Sequence, residues 1–176
     1  MATNRLIQKL FRFDESGVGE DGITFSDRRQ YEKFRVQAVG VSQTETIAVG
    51  DVVALVYTAG SDGAIAFNVK KCPADGAALG IAMSAGTSTT DADEILTSAD
   101  YIDVLLTGIG EATVDGEDQG GAGATISAGD YLCVGDTAGV FYKYTAGSDA
   151  VPQAIACEGQ SSGVSGLKTV FMLSQF

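Results

Sequence analysis

The sequence predicts a mainly β fold: a compact β-barrel or sandwich-like domain with a duplicated hairpin unit, preceded by an N-terminal arm with room for short helices. Three observations predict it. The apolar mass comes in small pieces, with 45% hydrophobic residues but 23 Gly, 2 Pro and no Trp, which suits short strands joined by tight turns. Residues 51–71 read as a hairpin: VVALVY, the turn TAGSDG, then AIAFNVKK, in which Ile65, Phe67 and Val69 alternate with Ala66, Asn68 and Lys70. The third observation is an internal repeat. TIAVGDVVALV from Thr46 returns as TISAGDYLCVG from Thr125, and YTAGSDG from Tyr57 returns as YTAGSDA from Tyr144, with a longer interval between the two pieces in the second copy. Each copy is followed by a small apolar strand, ALGIAM around Ile81 and QAIACE around Ile155.

In chain order, residues 1–35 form the arm and residues 36–176 the β-rich domain. Leu6, Leu10 and Phe13 share a helical spacing, as do Ile7 and Phe11, while Arg5, Lys9 and Arg12 take another face, so residues 4–13 suit an amphipathic helix. Its length is marginal for a free helix, which leaves it to be ordered against a partner or against its own domain. Residues 15–22 (ESGVGEDG) read as a hinge, and residues 26–34 (SDRRQYEKF) as a short helix capped by Ser26. Further strands are expected at residues 78–83, 101–106, 111–114, 131–134, 140–144, 154–157 and 167–173. Residues 84–94 and 115–129 are expected to be surface loops.

Charge bounds the partners. The net charge of −12 argues against nucleic acid, whose phosphates require a clustered cationic surface. Residues 1–35 hold 7 of the 11 basic side chains and 6 of the 23 acidic ones, so a near-neutral arm is attached to an acidic body. No window approaches 18 consecutive apolar residues and no membrane partner is expected. A membrane-surface role for residues 4–13 is weakened by the short apolar face and the acidic body. Cys72, Cys133 and Cys157 form no C-x-x-C pair, and free thiols in a reducing cytoplasm are the expectation.

Patterns with catalytic spelling lack their context. Gly17, Gly19 and Gly22 spell G-x-G-x-x-G, but no strand precedes them and Glu20 and Asp21 would repel a pyrophosphate. GVSGLKT misses a phosphate loop because Leu167 separates Gly166 from Lys168 and VFML follows where a helix is required. Residues 159–163 spell G-x-S-x-G, yet the chain has no His to activate Ser161. A Ser161–Lys168 dyad is the remaining option, against a plain turn between strands. A paired-carboxylate sugar site is disfavoured by the absence of Trp. Asp91, Asp93 and Glu94, and likewise Asp115, Glu117 and Asp118, read as solvated loops rather than calcium sites. No enzyme activity, catalytic residue, cofactor or metal is expected.

The order of the pieces TIAVGDVVAL, KKCPADGAALGIAMSAG, YIDVLLTGIGEATVDG, TISAGDYLCVGDTAGVFYKY, QAIACEG and LKTVFML resembles the small β-rich head decoration, or cement, proteins of tailed phages. Gly50-Asp51 and Gly129-Asp130 match that family's two strand starts, Gly80-Ile81-Ala82 its middle strand and residues 102–114 its central strand. The arm is longer and more basic than a minimal decoration domain needs. The resemblance implies a capsid-decorating bacteriophage structural protein, assembled in the host cytoplasm, that binds the major capsid protein on the outer surface of the virion and stabilises the expanded shell. It also implies self-association as a homotrimer, with the arm as the contact. Leu6, Ile7, Leu10, Phe11 and Phe13 would then be apolar anchors, and Arg5, Lys9, Arg12, Arg28, Arg29 and Arg35 would meet carboxylates on the shell. A carbohydrate- or host-binding β module of a phage fibre or bacterial surface is the alternative, and it would show exposed aromatics in a cleft.

Overall fold

The computed structural model describes residues 30–56, 68–93, 96–146 and 151–173. Within them the chain is built from strands, turns and bends, with no helix. The strands are β1 (Gln30–Val36), β2 (Thr44–Ile47), β3 (Val52–Leu55), β4 (Asn68–Lys71), β5 (Gly80–Ala82), β6 (Gly86–Thr90), β7 (Leu96–Ala99), β8 (Tyr101–Asp118), β9 (Tyr131–Val134), β10 (Phe141–Lys143), β11 (Ala154–Ala156) and β12 (Ser165–Met172).

β8 organises everything else. At 18 residues it is about three times the usual strand length, and its two halves belong to different closed rings. The first half pairs with β1 and β5, and the ring closes through β3 and β4, in the order β1-β4-β3-β5-β8. The second half pairs with β10 and β12, and the ring closes through β9 and β11. Closure removes the open edges at which a sheet would otherwise pair with other chains.

The two rings share one register. Val36 pairs parallel with Val69 as Val114 does with Phe141. Val53 faces Lys71 as Leu132 faces Lys143, and Ala82 faces Val104 as Ala156 faces Val170. The molecule is therefore a tandem of two equivalent five-stranded barrels, in which the last strand of the first runs on into the first strand of the second. The expected barrel is present, and the duplication goes beyond the expected hairpin unit: a whole five-stranded ring is repeated, each with its own core.

Side chains alternate accordingly. Val36, Val53, Val69, Ala82, Ile102 and Val104 fill the first barrel with Phe34 and Ile47. Val114, Leu132, Phe141, Ala156 and Val170 fill the second with Ala112 and Ile126. The outward residues Val52, Ile81 and Leu105 of the first barrel join the second core rather than solvent, so the barrels are packed side by side.

Several expectations need correction. Residues 26–34 were expected to be helical, but β1 begins at Gln30: Phe34 and Val36 point inward around half-buried Arg35, and pairing on both edges outweighs local helix preference. β1 is thus a barrel strand, and the barrel takes in residues 30–35 of the expected arm. Residues 84–94 were expected to be a loop, yet they contain β6, which joins β2 and β7 in a separate three-stranded sheet. Residues 115–118 continue β8 instead of opening the next loop. The expected strands 101–106 and 111–114 are one, because Gly108 and Gly110 mark the passage between barrels and not a turn. A Cβ at Gly110 would collide with the Leu105 side chain. In chain order the first YTAGSD match falls between β3 and β4 and the second after β10, so the two do not take corresponding places in the repeat, and the β9–β10 connection carries Thr137-Ala138-Gly139 instead; residues 57–67, with the first match and the expected hairpin turn, lie outside the described residues.

Candidate functional site

The recurrent G-D strand start is a structural lock. Asp51 N–H donates to Ala48 O (3.2 Å) and Asp130 N–H to Ser127 O (3.0 Å), closing turns whose third residue, Gly50 or Gly129, has φ of 87° or 93°. Glycine alone takes that conformation without cost. The carboxylate then turns back: Asp51 Oδ2 accepts Ala48 N–H and Asp130 Oδ2 accepts Ser127 N–H, each at 2.8 Å. A lysine completes each lock, Lys71 Nζ at 3.0 Å from Asp51 and Lys143 Nζ at 2.8 Å from Asp130. The Lys143 ammonium, and after it the Ser127 N–H, hold the Asp130 carboxyl below its ordinary range.

Among the described residues, the serine and thiol motifs are not brought together into a reactive site. Ser161 opens a turn closed by Val164 N–H donating to Ser161 O (3.3 Å), a plain turn between strands, and packs against Gly116, while Lys168 pairs with Ala112. Four residues of β8 separate those two partners, about 13 Å along a strand. Burial pushes the Cys72 thiol up to about 12 and the Cys133 thiol up to about 11, so both are protonated at neutral pH and poor nucleophiles. Among the described residues, no three Cys, Asp or Glu side chains are grouped to hold a metal ion. Asp118 Oδ1 instead accepts Gly120 and Ala122 N–H, and Asp91 Oδ1 accepts Asp93 N–H, so these acids shape their own turns.

Of the arm residues expected to make contacts, Arg35 alone is described. It is half-buried in β1 and its Nε donates to Asn68 Oδ1 (3.1 Å), tying β1 to β4. Arg5, Leu6, Ile7, Lys9, Leu10, Phe11, Arg12, Phe13, Arg28 and Arg29, and the glycines of G-x-G-x-x-G, lie outside the described residues.

The surface feature that sequence reasoning missed is an apolar row on the second barrel. Tyr131, Ile155, Phe171 and Ile109 stand side by side on the outer face of β9, β11, β12 and β8, each in register with the next. Tyr131 is 51% exposed, Ile109 48%, and Ile155 and Phe171 are half-buried. The same lattice positions on the first barrel are Val52, Ile81, Leu105 and Tyr31, of which the first three are fully buried against the second barrel. The legible signal was the uninterrupted apolar run VFML, which in a strand marks residues bound for cover on both faces.

The contact between barrels is also polar. The β9–β10 turn reaches onto the first barrel, where Gly139 O accepts Val52 N–H (2.8 Å) and Gly139 N–H donates to Cys72 O (2.9 Å). Thr113 N–H donates to Gly50 O (2.8 Å), and the Leu167 side chain covers Gly50 so closely that a Cβ there would collide with it. Buried Gln153 bridges the two, its Nε2 donating to Gly76 O (2.9 Å) and its Oε1 accepting Val134 N–H (3.3 Å).

No protein-family profile and no curated protein matches the chain. Among solved structures, the fold is similar to that of the head fiber gp8.5 N base in bacteriophage phi29, with a TM-score of 0.50 and 15% identity over 82% of this chain and 95% of that one. At that identity the likeness is one of fold, and it covers nearly the whole of the neighbour.

Proposed function

We propose that this chain is a non-enzymatic virion structural protein of a tailed phage that sits on the outer surface of the capsid and stabilises the expanded shell. The observation that carries the proposal is the fold shared with the base of a phage head fiber, joined to the decoration-protein order of motifs around Gly50-Asp51, Gly80-Ile81-Ala82 and Gly129-Asp130. Closed barrels with short connections suit such a role, because they keep shape under load and leave few edges for misassembly. In this reading the segment before β1 contacts the major capsid protein, the chains associate as homotrimers, and the acidic body keeps crowded particles soluble. Each contact is small, and repetition over the many equivalent positions of a shell multiplies its effect.

The test is to mix the protein with expanded shells that lack it, then measure saturable binding and the temperature at which the shells break. Stoichiometric binding with a raised breakage temperature is expected, and deleting residues 1–13 should leave a folded domain with weakened shell affinity. Absence of binding would end the proposal. The neighbour's place in a head fiber favours one second reading, a fibre module that holds carbohydrate or a host surface. Retention on a glycan array without binding to shells would select it.

A further inference from the structure

We infer that the outer row of the second barrel is the docking face for the first barrel of another copy of this chain, repeating between chains the contact that joins the two barrels within one. The argument rests on the duplicated frame and is independent of capsid attachment. Within the chain, the row Val52, Ile81 and Leu105 is buried by a neighbouring barrel. Its counterpart, Tyr131, Ile155 and Phe171, has the same register, the same outward direction and larger apolar side chains, extended by Ile109 to a fourth strand. A contiguous apolar row across four strands is more than the scattered exposure normal for a monomer.

The glycine turns locate the partner. Gly50 is covered by Leu167 of the second barrel and its carbonyl is bonded to Thr113. At Gly129, the equivalent turn, a Cβ would meet nothing within 4 Å. The residue that occupies Leu167's lattice position in the first barrel is Tyr101, since Gly166 is to Val114 as Asp100 is to Val36. Tyr101 is 63% exposed. The chain thus carries an uncovered turn at one end and, at the other, the aromatic side chain placed to cover it. In a second copy docked by the internal relation, Tyr101 lies over Gly129 and the first barrel closes over Tyr131, Ile155 and Phe171. Such a contact joins two different surfaces, so it propagates head to tail and either closes into a ring or continues as a filament. A ring of three copies is the homotrimer of the preceding proposal.

The full chain is examined alone, without shells, by sedimentation up to about 100 µM. Defined assemblies are expected, with Phe171→Glu and Tyr131→Arg each weakening association at least tenfold while thermal unfolding shows them still folded. Val164→Glu, at an equally exposed position away from the row, should leave association unchanged. Tyr101→Cys combined with Ala128→Cys in a Cys157→Ser background should give covalent multimers on oxidation, and neither single variant should exceed a dimer. Three results would overturn the inference: a monomer throughout the concentration range, assemblies indifferent to Phe171→Glu, or a monomer whose row becomes accessible only after residues 1–29 are deleted, which would assign the face to the chain's own segment. All three are read without a capsid, so failure here is distinct from failure to bind shells.

Discussion

The two barrels share strand order and register, and they differ in what surrounds them. The first is elaborated: β6 and β7 are inserted after β5 and join β2 in an extra sheet, and its outer row is sealed by the second barrel. In the second, the extra sheet is reduced to a single bridge, Ile126 to Gln160, at the position where Ile47 meets Gly86 in the first, and the outer row stands open. A barrel closes on its own hydrogen bonds, so duplication copies the closure exactly once per unit. Contacts between units are not copied in the same way, because a tandem of two has one internal junction and two ends. The difference therefore separates what stabilises each unit from what is available for association.

Three substitution pairs and one single substitution probe this separation. The largest effect is expected at the outer row: Leu105→Ala removes a fully buried side chain at the junction and should cost about 3 kcal/mol of unfolding free energy, whereas Phe171→Ala, at the equivalent open position, should cost about 1 kcal/mol in dilute solution. Denaturant titration measures both, and similar losses would show that the second row is already covered. Next come the turn glycines. Gly50→Ala combines strain at positive φ with collision against Leu167 and should cost about 2 kcal/mol, against about 1 kcal/mol for Gly129→Ala, which meets strain alone.

The locks follow. Asp51→Ala and Asp130→Ala each remove a bond to a backbone N–H and a lysine partner, and should lower stability by about 1 kcal/mol apiece. Equal losses would confirm that the locks are equivalent despite their different surroundings. The smallest effect is that of pH. Because the folded Asp130 carboxyl is held below its ordinary range, its contribution is complete above about pH 4 and is lost as pH falls through the lowered value. Asp130→Asn should therefore reduce the difference in stability between neutral and acidic solution, as read from thermal unfolding at a series of pH values.

Much of the frame was legible because it is local. The motif T-I-x-x-G-D encodes a turn, its obligatory glycine and its carboxylate lock within six residues, so both copies could be read directly. β3 to β5, and β9 to β12, followed from short apolar runs between turn residues, and β3 and β4 pair antiparallel as the expected hairpin requires, its alternating residues 65–67 lying outside the described residues. The extra sheet was less legible: Gly86 to Thr90 is rich in Ser and Thr, and what makes it a strand is pairing with β2 and β7 together with the buried Ser88 hydroxyl accepting Ala38 N–H. YTAGSD misled in the opposite direction, since a short run of turn-forming residue types can recur at different places in the chain order without marking an equivalent position.

By itself the sequence determined the strand-rich class, the two glycine-aspartate starts and the existence of a repeated unit, because these depend on residues within one turn or one hairpin of each other. Only the tertiary structure decided that TGIGE is a passage through one long strand instead of a turn, that the repeat closes into two barrels, and that Ile81 and Leu105 are sealed while Ile155 and Phe171 are not. The physical reason is range. Backbone conformation is set by neighbours in sequence, whereas burial is set by whatever surface arrives from elsewhere in the chain, and identical lattice positions acquire different exposure when only one of them has a barrel beside it.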